Sequence, residues 1–134
     1  MTMIKVKAAG GCGGTIWDVK GRDQVAGVYV YYTDSKVLAL QFIFHEKGKF
    51  VKSVRYGVSQ MNESYGAVVF DHTSEYLTTV TGSGIPFFRT GLRSIAFITN
   101  KGSYGPFGAS AADTYKFNFP IGRGLFGGFY GSTR

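Results

Sequence analysis

The stretch "GGCGGTIWDVKG" at Gly10–Gly21 places five glycines among twelve positions and contains the chain's single tryptophan, Trp17. Three structures could use so much glycine: a phosphate-binding loop, a flexible linker, or a strand whose bare backbone a ligand can approach. The phosphate-binding loop is disfavoured because Ile16 stands where G-x-G-x-x-G needs its third glycine, and no Lys-Ser or Lys-Thr pair follows. The choice between the other two depends on the rest of the sequence.

The composition of the chain indicates an all-β protein. Its 134 residues include 20 glycines, 12 phenylalanines and nine tyrosines but three prolines. Aromatic and β-branched residues favour strands, and glycine favours the tight turns between them. A chain of this length is typically one domain, so we expect a single domain over residues 1–134.

Strand-like segments recur at short intervals along the chain. The clearest are Val25–Tyr32, Val37–Phe44, Phe50–Tyr56, Gly66–Phe70, Glu75–Val80, Leu92–Thr99 and Asp113–Phe119. In the last of these, Lys116 and Asn118 alternate with aromatic residues, which is typical of a strand with one solvent-facing side. No apolar period of 3.6 residues persists, so we expect about ten antiparallel strands and almost no helix.

The chain is basic, with 15 Lys and Arg against eight Asp and Glu and a net charge of +7. A mild concentration at Lys47, Lys49, Lys52 and Arg55 could be an anion-binding patch or a solvated hairpin end, and the sequence leaves both open. The N-terminal residues lack the apolar core of a secretory signal, and the longest apolar run, Val37–Phe44, is too short for a membrane helix. We therefore expect a cytoplasmic or nuclear protein without membrane insertion.

Catalytic and metal-binding patterns are absent from the sequence. Its two histidines are His45 and His72. Asp71 and His72 are adjacent in an extended segment, so their side chains point to opposite faces and cannot form a base with its orienting partner. The single cysteine, Cys12, has no neighbouring base and cannot form an internal disulfide. We therefore expect no enzyme activity, no cofactor and no metal ion.

Binding of an uncharged polar ligand such as a sugar suits the glycine-rich stretch better. A sugar needs accessible backbone N–H groups, a carboxylate that accepts hydrogen bonds from hydroxyls, and often an aromatic ring beneath it. Gly13 and Gly14 would present open backbone while Trp17 anchors the strand. The same glycines could equally form a bulge or a tight turn, and from this stretch alone both interpretations stand.

Four segments together resemble the jacalin-related lectins. "GGCGGTIWD" is similar to that family's opening pattern G-G-x-G-G-x-x-W-D, and "SEYLTTVTG" (Ser74–Gly82) to its strand before a sugar-side loop. "GLRSIAFITNKGSYGPFG" (Gly91–Gly108) and "FNFPIGRGLFGGFYG" (Phe117–Gly131) resemble its interior stretch and its last hairpin. The resemblance implies a β-prism I fold, with three four-stranded antiparallel Greek-key sheets around a pseudo-threefold axis.

The resemblance also implies where sugar would bind. In the family, backbone at the glycine before x-x-W-D joins a loop of pattern G-x-x-G-x-x-L-D, which corresponds here to Gly14 with Gly131, Ser132 and Thr133. The printed residues end at Arg134, before the Leu and Asp of that pattern and before the family's final strand. We therefore expect weakened sugar binding and an exposed sheet edge, which favours a homodimer or a strand-swapped oligomer.

The leading prediction is a non-catalytic, metal-independent lectin for mannose- or glucose-type glycans and glycoproteins. Two alternatives stay open. The fold could be an interaction module with lost or weakened sugar binding, because the sugar-binding Asp is not found. It could also bind single-stranded nucleic acid or acidic polysaccharide, given the +7 charge and aromatic residues expected to be exposed, such as Tyr29, Tyr31 and Tyr56. The dispersed lysines make nucleic acid the less favoured partner.

Overall fold

A computed structural model describes residues 15–19, 25–71, 73–84, 92–109, 115–120 and 129–133. These residues form eleven strands and no helix. In chain order the strands are β1 (Thr15–Val19), β2 (Val25–Tyr32), β3 (Val37–Glu46), β4 (Lys49–Lys52), β5 (Tyr56–Gly57), β6 (Ser64–Val69), β7 (Leu77–Gly84), β8 (Leu92–Thr99), β9 (Ser103–Gly108), β10 (Tyr115–Pro120) and β11 (Phe129–Thr133). The prediction of an all-β protein is confirmed.

The described strands form three antiparallel sheets. The largest has the order β4-β3-β2-β6, with β5 also paired to β3; the second has the order β10-β7-β8-β9; and the third joins β1 to β11. Because β4 and β5 pair with successive parts of β3, they act as one interrupted edge strand, and this sheet is four strands wide. The two larger sheets thus match the expected width, and two strands of the third sheet are described.

The interruption between β4 and β5 is the first departure from the sequence prediction, which ran one strand over residues 50–56. The Ser53 N–H donates to the Phe42 carbonyl at 2.8 Å, and the Ser53 hydroxyl accepts from the Phe42 N–H at 2.9 Å. A side chain thus replaces a backbone group in the ladder, and the strand breaks there. Pairing with β3 resumes over Tyr56 and Gly57, and Gly57 has a φ of 137°, a conformation that favours glycine.

The second departure concerns the start of β7, which the sequence placed at Glu75 and the structure places at Leu77. The Glu75 N–H donates to the Asp71 carbonyl at 2.6 Å, which closes a turn rather than extending a strand. The Tyr76 N–H donates to Oδ1 of Asn100 at 2.8 Å, so its partner is a side chain from the β8–β9 turn. The backbone N–H groups of Glu75 and Tyr76 are therefore each satisfied by a hydrogen bond to a turn, outside the sheet.

The inner faces of the two larger sheets share one apolar core. It contains Val25, Val28, Val30, Phe42, Phe44, Val68, Phe70, Leu77, Val80, Ile95 and Phe97. Gly66 of β6 faces Phe107 of β9 across this core, and a Cβ on Gly66 would lie 2.3 Å from the Phe107 ring. Lys116 and Asn118 of β10 are exposed, which confirms the predicted solvent-facing side of that strand.

Candidate functional site

The two-stranded sheet contains three of the four residues predicted to bind sugar. Gly131, Ser132 and Thr133 are the last three residues of β11, and they pair with Trp17, Ile16 and Thr15 of β1 respectively. Gly14 lies outside the described residues, but Thr15, which follows it in the sequence, is the first residue of β1. The register therefore brings residue 15 opposite residue 133, at one end of the ladder.

A ligand at this end of the β1–β11 sheet would contact backbone N–H and C=O groups. In an antiparallel pair, each strand directs about half of its N–H and C=O groups to its partner and the rest away from it. Among the described strands, none other than β11 pairs with β1, and none other than β1 pairs with β11. The outward backbone groups of residues 131–133 therefore have no strand beside them among those that the structure describes.

A carboxylate at this end is not found among the described residues. The nearest acid along β1 is Asp18, which pairs with Tyr130. Asp18 is three residues from Thr15, and at about 3.3 Å per residue this separation is about 10 Å along the strand. The Asp18 backbone therefore lies well away from the end where residues 15 and 133 meet. Asp113, the other acid nearest to the predicted site in the sequence, is outside the described residues.

Three acids in the loops of the two larger sheets, Glu63, Asp71 and Glu75, are held by their own neighbours. Glu63 accepts two hydrogen bonds of 2.8 Å from Arg55, which lower the pKa of the Glu63 carboxyl to about 2. Asp71 accepts hydrogen bonds from Thr73 and Ser74, which with Lys101 lower its pKa to about 2. Such carboxylates stay ionised at neutral pH and are poor general bases.

Glu75 is buried and serves a structural purpose. It is 4% exposed and accepts hydrogen bonds from the hydroxyls of Thr99 at 2.6 Å and Tyr104 at 2.8 Å, and from the Asp71 N–H at 3.0 Å. Burial by itself raises the pKa of this carboxyl, but the three hydrogen bonds outweigh burial, so its pKa is lowered. The Glu75 carboxylate thus links the turn before β7 to the β8–β9 hairpin through hydrogen bonds. This role was not predicted, because Glu75 stands at the start of the segment that the sequence predicts to be a strand.

Histidine and cysteine chemistry gains no support from the described residues. His45 lies in β3, and its ring packs edge-on against Phe50 with the centroids 5.2 Å apart. Within the described ranges, no three His, Cys, Asp or Glu side chains are placed to hold a metal ion. His72 and Cys12 lie outside these ranges. The same ranges contain no helix of a length and hydropathy suited to crossing a membrane.

The basic cluster predicted around Arg55 is only partly a cationic surface. Arg55 is paired with Glu63, and its guanidinium carbon lies 3.8 Å from the centroid of the Tyr31 ring. The hydrogen bond to Glu63 raises the pKa of Arg55. Lys52 places its Nζ 5.0 Å from the centroid of the Tyr29 ring. The cations therefore cover the tyrosine faces that a nucleic-acid base would need for stacking.

The aromatic residues named for polymer binding also differ from the expectation. Tyr29, Tyr31 and Tyr56 are half-buried rather than exposed, and Tyr56 packs against Phe42 with ring centroids 6.2 Å apart. Tyr65, which the sequence analysis did not single out, is 67% exposed. Tyr65 follows a turn and lies in the uncharged segment SYGAVV, and these two features were the signals in the sequence that could have indicated its exposure.

A second concave surface lies on the outer side of the β10-β7-β8-β9 sheet. This cleft of about 390 Å³ is lined by polar side chains that include Thr81, Ser94, Lys116 and Asn118. The Ser83 and Ser94 hydroxyls beside it are 2.6 Å apart and bonded to each other. The cleft is open and carries one cation, so it offers hydrogen-bonding groups without a defined centre for chemistry.

Comparison with known proteins agrees with the fold and with the resemblance. Residues 6–134 match the family model of the jacalin-like lectin domain. The chain is 31% identical over 120 residues to Protein RESTRICTED TEV MOVEMENT 1 of Arabidopsis thaliana, covering 87% of this chain and 68% of that protein. It is 30% identical over 134 residues to a mannose/glucose-specific lectin of Parkia pendula, covering 96% of this chain and 29% of that protein.

A solved structure supplies the same result at the level of the fold. The crystal structure of the artocarpin–mannotriose complex superposes with a TM-score of 0.85 at 28% sequence identity, covering 99% of this chain and 91% of that chain. This agreement confirms the predicted β-prism, with its two larger sheets packed on one core and β1 paired with β11. From the family match and the shared fold, we conclude that the chain belongs to the jacalin-like lectin domain family.

Proposed function

We propose that this protein is a lectin that binds mannose- or glucose-type glycans without catalysis and without a metal ion. The observation that carries the proposal is the β1–β11 register, which sets residue 15 opposite residue 133. Family membership supports carbohydrate binding in general. The proposed site consists of backbone at Gly14 together with Gly131, Ser132 and Thr133.

The preference for mannose-type sugars has three supports. The Parkia pendula relative is named a mannose/glucose-specific lectin, and the artocarpin structure with the same fold is a complex with mannotriose. The uninterrupted "GGCGGTIWD" head adds a third argument, because it resembles the branch of the family in which this segment is continuous with the rest of the chain. Galactose is therefore the negative control in any test of specificity.

The expected affinity is low for a single sugar unit. Backbone N–H and C=O groups supply neutral hydrogen bonds, each with a net contribution of about 1 kcal/mol. A carboxylate acceptor would contribute about 1.5–3 kcal/mol per charge-assisted bond, and the one acid of β1 and β11, Asp18, is three residues along the strand from Thr15. Oligosaccharides such as mannotriose, which offer more hydroxyls, should bind measurably better than monosaccharides.

A glycan array with soluble competitors tests this proposal. We expect signal on mannose-containing glycans that methyl-α-mannoside competes away and galactose does not. The protein applied to the array must be shown to be folded, for example by a cooperative thermal transition. A folded protein that gives no signal, or whose signal galactose removes equally well, contradicts mannose-type binding.

A second candidate is an interaction module that keeps the prism and has lost sugar binding. The observation that favours it is the distance of Asp18 from the end of β1 where residues 15 and 133 pair. A folded protein that leaves the array blank, together with no calorimetric heat on addition of mannotriose, would support this function. Heat of binding with mannotriose excludes it.

A further inference from the structure

Strand β6 ends the largest sheet, and its outer edge has no strand beside it among the described residues. Exposed strand edges pair readily with other chains unless charged residues or prolines obstruct them. The other terminal strands of the two larger sheets each carry such residues: Lys49 and Lys52 in β4, Pro106 in β9, and Lys116 and Pro120 in β10. β6, with the sequence SYGAVV, carries neither.

The outer face of β6 is also unusually apolar for a solvent-exposed surface. Tyr65 is 67% exposed and Val69 is 59% exposed, and Ala67 between them is exposed as well. The inner face is closed, because Val68 is fully buried and Gly66 contacts the Phe107 ring. A partner can therefore approach β6 from its edge and its outer face. A neutral, β-prone edge with exposed aromatic and β-branched residues is suited to strand pairing.

We propose that β6 pairs antiparallel with β6 of a second copy of this chain, forming a two-fold symmetric dimer. A two-fold interface needs a surface that complements itself, which this strand provides. With Ala67 on the symmetry axis, Tyr65 of one protomer lies opposite Val69 of the other, and both lie on the outer face. Aromatic and β-branched residues directly opposite each other are a favourable cross-strand pair.

The net charge of the chain does not oppose this arrangement. Lys47, Lys49 and Lys52 lie on β4 and on the β3–β4 turn, at the far side of the sheet from β6, and Lys36 lies in the β2–β3 turn. In the dimer seven strand spacings of about 4.8 Å separate the two β4 strands, or about 34 Å. This distance is about four Debye lengths at physiological ionic strength, so the repulsion is screened. Arg55 and Glu63, which lie closer to β6 in sequence, neutralise each other.

An acidic protein segment on the same face is the main competing occupant, and the charges favour the second copy. A segment recruited by charge would need free cations near β6, but Arg55 is bonded to Glu63. Lys52, the nearest remaining cation to the tyrosines, is on β4 and places its Nζ over the Tyr29 ring on β2. β6 itself is uncharged, so it would bind a partner through backbone hydrogen bonds and side-chain packing rather than through charge.

Sedimentation velocity of the full chain over a wide range of concentration tests the proposal. We expect the mass of two chains at high concentration. Ala67→Lys places two lysines opposite each other at the axis and should raise the dissociation constant of the dimer by more than about tenfold. Ala67→Glu should do the same, and an equimolar mixture of the two variants should recover a heterodimer because the opposed charges now attract.

Val54→Lys is the matched control, because Val54 is 67% exposed and lies outside β6. It should dimerise like the original chain. Circular dichroism and thermal melting check that each variant is folded, which the exposure of positions 54 and 67 favours. A monomeric original chain, a dimeric Ala67→Lys variant, an equal loss in Val54→Lys, or a mixture that stays monomeric would each overturn the proposal.

Discussion

Thr15 and Thr133 lie opposite each other in the antiparallel ladder of β1 and β11, although they are the first and last residues of the described strands. This pairing joins the glycine-rich head of the sequence to its C-terminal segment. Because Gly14 adjoins Thr15 and the residues 131–133 form the end of β11, a ligand at this end can contact both segments. The proposed sugar site depends on that relationship.

Replacing Gly14 by alanine tests the requirement for bare backbone at the proposed site. A Cβ at this position would hold the sugar away from the backbone N–H, so we expect the Kd for mannotriose to rise about tenfold, or about 1.4 kcal/mol. Calorimetry measures the effect. Gly102→Ala is the control, because a Cβ at Gly102 would have no atom within 4 Å. Equal affinity of the two variants would move the site elsewhere.

Replacing Glu75 by glutamine tests the buried carboxylate. The change removes the charge that accepts hydrogen bonds from Thr99 and Tyr104, so we expect the free energy of unfolding to fall by about 2 kcal/mol. Urea denaturation measures it, and sugar affinity should not change. Asp34→Asn, at an exposed position in the β2–β3 turn, should leave stability within about 0.5 kcal/mol. A Glu75→Gln protein as stable as the original would contradict this role.

The Ser53 hydroxyl explains the break between β4 and β5, and Ser53→Ala tests the explanation. The Phe42 N–H, in a fully buried residue, would lose its acceptor. We expect a loss of about 1–3 kcal/mol in the free energy of unfolding. Ser35→Ala, at an exposed turn position, serves as the control and should cost less. If the two substitutions cost the same, the Ser53 contact has no special weight.

Acid should destabilise the protein through Glu63 and Asp71. Hydrogen bonds from Arg55 to Glu63, and from Thr73, Ser74 and Lys101 to Asp71, lower both pKa values to about 2 in the folded chain. The unfolded chain therefore binds more protons in acid, so this stabilisation is present above the ordinary carboxyl pKa and is lost as the pH falls towards 2. The urea midpoint should decline between about pH 5 and pH 2. Asp71→Asn should flatten the decline, and a midpoint independent of pH over this range would exclude the mechanism.

Local composition predicted the strands that are rich in β-branched and aromatic residues. β2 and β8 have the predicted bounds, because such residues make up much of Val25–Tyr32 and Leu92–Thr99. Two of the errors fall where a side chain replaces a backbone partner: Ser53 bonds to Phe42, and Asn100 bonds to Tyr76. Such contacts join residues 11 and 24 positions apart, and no local pattern in the sequence reveals them.

The candidate site was predictable to a smaller extent. The motif around Trp17 and the segment from Gly131 suggested a shared site; Trp17 and Gly131 pair in β1 and β11, and the sugar site itself stays a prediction. The β6 edge was not predicted, because exposure of Tyr65 and Val69 depends on which strand ends the sheet. Sheet order is a property of the whole fold and is not written in any one segment.

The proposed sugar site is tested most directly by an NMR titration of the isotope-labelled chain with mannotriose, with galactose as the control. We expect mannotriose to shift the backbone amide signals of Thr15, Gly131, Ser132 and Thr133 more than any others, and galactose to leave them unchanged. The contrary result is a folded chain in which these amides stay fixed while others move, such as those of Lys116 and Asn118 beside the polar cleft, or in which no amide moves at all.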